Sequence, residues 1–160
     1  MKYNRFEKYK ALFYMDKLQI LADDKICTPA QIVVYPSYIC NYKCTHCIMQ
    51  EERKIGDVLS EKTLDKLVED VIRLDIKSVI FSGGGEPLTN KFTLSTLKKL
   101  NDKGINTSLN TNGYFLPEDV SYINNLRVSI GDHCPSDCGI CVPYPYLFQA
   151  KQYLEGSPVG

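Results

Sequence analysis

Ile32-Val33-Val34-Tyr35-Pro36-Ser37-Tyr38-Ile39-Cys40-Asn41-Tyr42-Lys43-Cys44-Thr45-His46-Cys47 joins a β-branched and aromatic run, a proline that ends it, and three cysteines spaced x3 then x2. The run reads as a buried strand, so the cysteines leave its C-terminal end. Three thiolates within eight residues form a soft-metal ligand set, suited to zinc or to an iron–sulfur cluster. A zinc ion would want a fourth ligand, which His46 can supply. A cluster held by three cysteines instead leaves one iron open to another group. The triad alone leaves both readings standing.

Reading outward, Leu64, Leu67, Val68, Val71 and Ile72 recur at helical spacing, with Ser60 placed as the cap and Glu61 favourable in the first turn. Ser78-Val79-Ile80-Phe81 is a second strand, and Gly83-Gly84-Gly85-Glu86-Pro87 leaves its C-terminal end. Residues 89–103 read as a second crossover helix, with Leu97 and Leu100 inward and Gly104 as its stop. Ile105, Thr107 and Leu109 mark a third strand running into Thr111-Asn112-Gly113. Pro117 is placed to open a short third helix through Val120 and Ile123. Leu126, Val128 and Ile130 give a fourth strand. Upstream, residues 4–22 carry Phe6, Tyr9, Leu12, Phe13 and Leu18 at helical spacing and predict an amphipathic packing helix.

Strands alternating with helices predict parallel βαβ units with right-handed crossovers, whose ligand site lies beyond the carboxyl ends of the strands. The triad, the glycine run, Thr111-Asn112-Gly113 and whatever follows Ile130 all emerge at that end. Four separated motifs are thereby expected on one face.

Nineteen basic residues balance nineteen acidic ones, which gives no electrostatic pointer to nucleic acid or anionic membrane. No apolar run reaches the roughly 18 residues of a membrane span, and the N-terminus lacks a secretory leader pattern. Six of the seven cysteines fall in two tight clusters, a pattern of metal ligation in a reducing cytoplasm rather than of disulfides. The glycines before Glu86 would let a ligand approach the backbone without a Cβ in the way. Glu86 offers a carboxylate to a cationic group such as an amine. The run is not a phosphate-binding loop, since no Gly-Lys-Ser/Thr follows.

Taken together, Cys-x3-Cys-x2-Cys after the first strand, Gly-Gly-Gly-Glu-Pro after the second and Thr-Asn-Gly after the third resemble the radical S-adenosylmethionine (radical SAM) superfamily over about residues 31–132. The resemblance implies an α/β fold, a partial (β/α) barrel of about four parallel βα units. It implies that Cys40, Cys44 and Cys47 each ligate one iron of a [4Fe-4S] cluster whose fourth iron is chelated by S-adenosylmethionine. Gly84, Gly85 and Glu86 would hold the methionine amino group, His46 would lie near the adenine, and Ser129 near the ribose or carboxylate. An electron from the cluster would cleave S-adenosylmethionine to methionine and a 5′-deoxyadenosyl radical, which abstracts hydrogen from a substrate. The electron donor would be a flavodoxin or ferredoxin.

The sequence departs from the superfamily pattern in three places. The family often has Ser-x-Asp late in the fourth strand, whereas this chain has Ser129-Ile130-Gly131-Asp132. The usual core has six βα units, and this length has room for four. A minimal enzyme completed by a homodimer or partner subunit, a piece of a longer protein, and a degenerate relative all fit that shortfall. Finally, Cys134, Cys138 and Cys141 repeat the x3, x2 spacing. They are candidate ligands of an auxiliary iron–sulfur cluster, or of a structural zinc with His133 or Cys27 as fourth ligand, or else unligated thiols. The expected organisation is an N-terminal helical extension over 1–30, the core over 31–132 and a cysteine-containing tail over 133–160. The alternatives to an enzyme are a catalytically silent iron–sulfur or S-adenosylmethionine-binding protein, one half of a complex, or a structural zinc module.

Overall fold

In the computed structural model, which describes residues 14–44, 47–49, 51 and 55–129, four short strands lie side by side in chain order. They are β1 (Gln31–Val34), β2 (Ser78–Phe81), β3 (Asn106–Thr111) and β4 (Asn125–Val128). Every pairing is parallel, with Val34 opposite Phe81, Phe81 opposite Leu109, and Thr111 opposite Val128. Helix α1 (Met15–Ala22) precedes the sheet, while α2 (Glu61–Arg73) and α3 (Thr93–Asp102) form the crossovers to β2 and β3. This is the α/β partial-barrel arrangement expected from the sequence.

Strand alternation sends Val34, Val79, Phe81 and Leu109 to one face, where they pack with Leu64, Val68 and Val71 of α2 and Leu97 and Leu100 of α3. That layer is the core. The other face is open: Val33 is 55 % exposed and Tyr35 is 43 % exposed. Among the described residues the sheet therefore has one side packed by helices and one side that none of these helices covers.

Ser60 caps α2 as expected, its hydroxyl accepting from the Thr63 N–H at 3.2 Å, and Glu61 and Arg73 sit at the ends the helix dipole favours. We predict that Ser60→Ala lowers stability by about 1 kcal/mol, measured by urea unfolding. Gly104 ends α3 with a φ of +76°. This helix starts later than the sequence suggested, because Asn90 is drawn away into two tertiary bonds. Its amide donates to the carbonyls of Pro36 at 3.0 Å and Leu59 at 2.9 Å, tying the exit of β1 to the approach to α2.

Two expectations need correction. No helix forms over 117–123; turns do. Asp119 accepts from the Ser121 N–H at 2.9 Å, and the Tyr122 carbonyl accepts from the Thr107 hydroxyl at 2.8 Å. These competing bonds, one local and one to β3, leave no room for a helical ladder in so short a stretch, although Val120 and Ile123 are buried. In α1, Leu18 is not an inward anchor: it is exposed, and Lys17 is the buried residue, donating to Thr28 Oγ1 at 2.6 Å. Phe6, Tyr9, Leu12 and Phe13 lie outside the described residues. Among the described residues, no helix is long and apolar enough to cross a membrane.

Candidate cluster and cofactor site

The loop that leaves β1 is held against the loop that leaves β2 before any cysteine is reached. The Gly85 N–H donates to the Ser37 carbonyl at 2.9 Å and the Glu86 N–H to the Ile39 carbonyl at 2.8 Å. A methyl group at Gly84 would land in the Tyr38 ring, and one at Gly85 on the Ile39 carbonyl. The close backbone approach that the glycines permit is thus made in part by the protein's own cysteine-bearing segment. That segment then turns outward. The Tyr42 N–H donates to Cys40 Sγ at 3.4 Å and the Cys47 N–H to the Cys44 carbonyl at 3.3 Å. Cys27, Cys40, Cys44 and Cys47 are all partly exposed and none is in a disulfide.

Glu86 is the hub beneath this loop. It is 2 % exposed. One carboxylate oxygen accepts from the Leu88 N–H at 3.0 Å and the Thr111 hydroxyl at 2.6 Å, and the other accepts from the Asn112 N–H at 2.7 Å. Burial pushes the carboxyl above its ordinary range, and the bonds from Asn112, Thr111 and Leu88 pull the other way. Asn112 in turn donates from its side chain to Asn41 Oδ1 at 2.9 Å, between Cys40 and Cys44. The three loops that follow β1, β2 and β3 are thereby bonded to one another.

Above them lies a cavity of about 240 Å³. Cys40, Cys44 and Cys47 line it together with Gly83, Gly84, Gly85, Glu86, Ser129 and the polar side chains of Ser82 and Asn110. Ser129 is fixed by its own N–H, which donates to the Thr111 carbonyl at 2.8 Å. The cavity thus brings together all the cysteines of the first triad, the glycine run, Glu86 and Ser129. His46, Asp132, His133, Cys134, Cys138 and Cys141 lie outside the described residues.

The residues present fit a cluster with a small polar cofactor beside it. Three cysteine thiols lining one cavity are a soft donor set that suits a cluster whose ligands each meet a different iron. The Asn110 amide donates to Ser82 Oγ at 3.3 Å, yet its buried carbonyl oxygen has no hydrogen-bond partner. Such an acceptor calls for a donor from a water or a ligand. Ser82, Asn110 and Asn41 were not singled out from the sequence. The available signal is position: Ser82 directly follows β2, and Asn110 precedes Thr111-Asn112-Gly113 at the end of β3.

Comparison with known proteins agrees with this geometry. The profile described as "Radical SAM superfamily" matches residues 34–131, more than half of the chain. A probable GTP 3′,8-cyclase of Sulfurisphaera tokodaii is 32% identical over 81 residues, covering 50% of this chain and 26% of that protein. One from Thermococcus kodakarensis is 32% identical over 80 residues, covering 49% of this chain and 26% of that protein. This chain therefore spans about a quarter of the length of the curated relatives it matches. In fold it is similar to the crystal structure of BtrN in complex with AdoMet and 2-DOIA, with a TM-score of 0.56 and 17% identity, over 76% of this chain and 55% of that one. The cavity-lining cysteines, the parallel sheet that carries them and the profile match lead to one conclusion: the chain belongs to the radical SAM superfamily.

Proposed function

We propose that the chain binds a [4Fe-4S] cluster through Cys40, Cys44 and Cys47, holds S-adenosylmethionine beside it, and uses the pair to begin radical chemistry on a substrate. The observation that carries this reading is the shared cavity, in which cysteines from the loop after β1 meet a glycine run and a buried carboxylate from the loop after β2 and Ser129 after β4. When bound, the cofactors supply reductive cleavage of a carbon–sulfur bond and a 5′-deoxyadenosyl radical able to abstract hydrogen. The protein's own part is to bind, orient and keep water out.

Cys40 already accepts a hydrogen bond at sulfur from the Tyr42 N–H, an interaction that raises the reduction potential of a bound cluster. The Glu86 oxygen that faces Asn112 keeps lone-pair capacity for an ammonium, and a cation there would favour the charged carboxylate. Ser129 and Asn110 offer polar atoms to the remainder of the cofactor or to the substrate. An external one-electron donor of the flavodoxin or ferredoxin type would complete the system. A nucleotide substrate is suggested by the names of the cyclases, whose match covers about a quarter of their length.

The test is anaerobic reconstitution of the chain with iron and sulfide, followed by S-adenosylmethionine and dithionite. Methionine and 5′-deoxyadenosine should appear, with about four irons per chain, or about eight if Cys134, Cys138 and Cys141 hold a second cluster. A spectrum showing a cluster but no cleavage would instead identify a silent binding protein.

A further inference from the structure

Arg127 is the one charged residue within the four strands. Strands of a parallel sheet are ordinarily apolar on both faces, so a charge there needs a reason. Its neighbours Leu126 and Val128 point to the helix side: Leu126 packs on the core, and Val128 lies against Gly113. Alternation therefore sends Arg127 to the opposite, open face, where it is exposed. Its register partner is Asn110, and the same row continues to Ser82, bonded to Asn110 at 3.3 Å. Both neighbours line the cavity that holds the cysteines. Ser129 lines it too, two residues on, about 7 Å further along the strand.

This half of the open face is polar, with Ser108 and Asn125 in the row below, whereas β1 and β2 present Val33 and Ile80 in that row. No carboxylate occurs in any strand to neutralise the arginine, and no ion pair of Arg127 is formed among the described residues. The two neighbours do not satisfy each other either, since the Asn110 carbonyl oxygen has no partner.

We propose that Arg127 is the anchor for an oxyanion of the substrate, a phosphate or a carboxylate, and that Asn110 accepts from a hydroxyl or ammonium of the same molecule. The guanidinium fork matches either oxyanion in a bidentate manner. The site adjoins the cysteine-lined cavity through Asn110 and Ser82, so the inference deepens the proposed function and rests on it for the identity of the reaction.

The test uses the reconstituted full chain and two probes, inorganic phosphate and acetate, titrated by calorimetry at fixed ionic strength. One of them should bind saturably, and the stronger of the two identifies the substrate's anion. Arg127→Gln should weaken that probe about tenfold. Arg127→Lys, which keeps the charge and loses the fork, should fall between. Affinity for S-adenosylmethionine, titrated separately, should not change. Three results would overturn the proposal: no saturable anion binding, anion binding unchanged in whichever variant folds, or a parallel loss of S-adenosylmethionine affinity. The last would place the cofactor's own carboxylate on Arg127. An edge charge that merely keeps β4 from pairing with other chains would alter oligomeric state and leave the anion titration unchanged. If the wild type fails to cleave S-adenosylmethionine, the proposed reaction falls while the titration still reports on Arg127.

Discussion

Cys44→Ala is expected to reduce 5′-deoxyadenosine formation to background while leaving the fold intact. Cys44 lies between the other cysteines and lines the cavity with them, so its loss leaves two thiolates where each of three irons needs its own ligand. It is partly exposed and outside the apolar core. Urea unfolding of the iron-free variant should therefore match wild type within about 0.5 kcal/mol. Product is measured by chromatography after incubation with S-adenosylmethionine and dithionite. Formation at the wild-type rate would remove Cys44 from the cluster and with it the proposed reaction.

Glu86→Ala should be the most damaging substitution for stability outside the apolar core. It strands three donors, the Leu88 N–H, the Asn112 N–H and the Thr111 hydroxyl, around a side chain that is 2 % exposed. At about 1–3 kcal/mol for each unsatisfied group, a loss of several kcal/mol is expected. Glu86→Gln should cost less, because its one oxygen can still accept from Leu88 and Thr111, so that only the Asn112 N–H, now facing the donor NH2, loses its acceptor. The pH dependence separates this carboxyl from others. Since burial raises its folded-state value above the ordinary 4.5, the folded protein holds the Glu86 proton more tightly than the unfolded chain does. That contribution to stability is fully present below the ordinary value and is lost as pH rises through the raised one. The advantage of wild type over Glu86→Gln should accordingly narrow in urea unfolding as pH rises above the ordinary carboxyl value of 4.5. A gap that widens with pH would mean that the three hydrogen bonds outweigh burial.

Much of this architecture was legible because it is written locally. The Ser60 cap, the α2 periodicity, the Gly104 stop and the apolar run of β2 are each decided by residues within a few positions of one another. The convergence of the loops at one end of the sheet followed from the parallel topology alone. What escaped was set by partners far away in the chain. Asn90 delays α3 because it answers the Pro36 and Leu59 carbonyls, and Glu86 is committed to Thr111 and Asn112. Pro117 predicts a helix opening, and the bond from Thr107 to the Tyr122 carbonyl, 15 positions away, holds a turn there instead. The glycine run was read as an opening for a ligand. The crowding of Tyr38 and Ile39 against it depends on the β1–β2 register, which composition does not encode.

The bond between Asn112 and Asn41 links residues 71 positions apart, and it has a consequence for the order in which the site comes into being. Cys40, Cys44 and Cys47 are neighbours in the chain and are synthesised together, but the surfaces that shape their loop come from beyond β2 and β3. Closing so long a loop is an entropic cost met only when the sheet has assembled. Iron delivered to a chain that ends near Cys47 would find three mobile thiols. Delivered after β3 has docked, it would find them arranged around a cavity. Maturation is thus expected to be a late event, gated by sheet formation rather than by the appearance of the ligands.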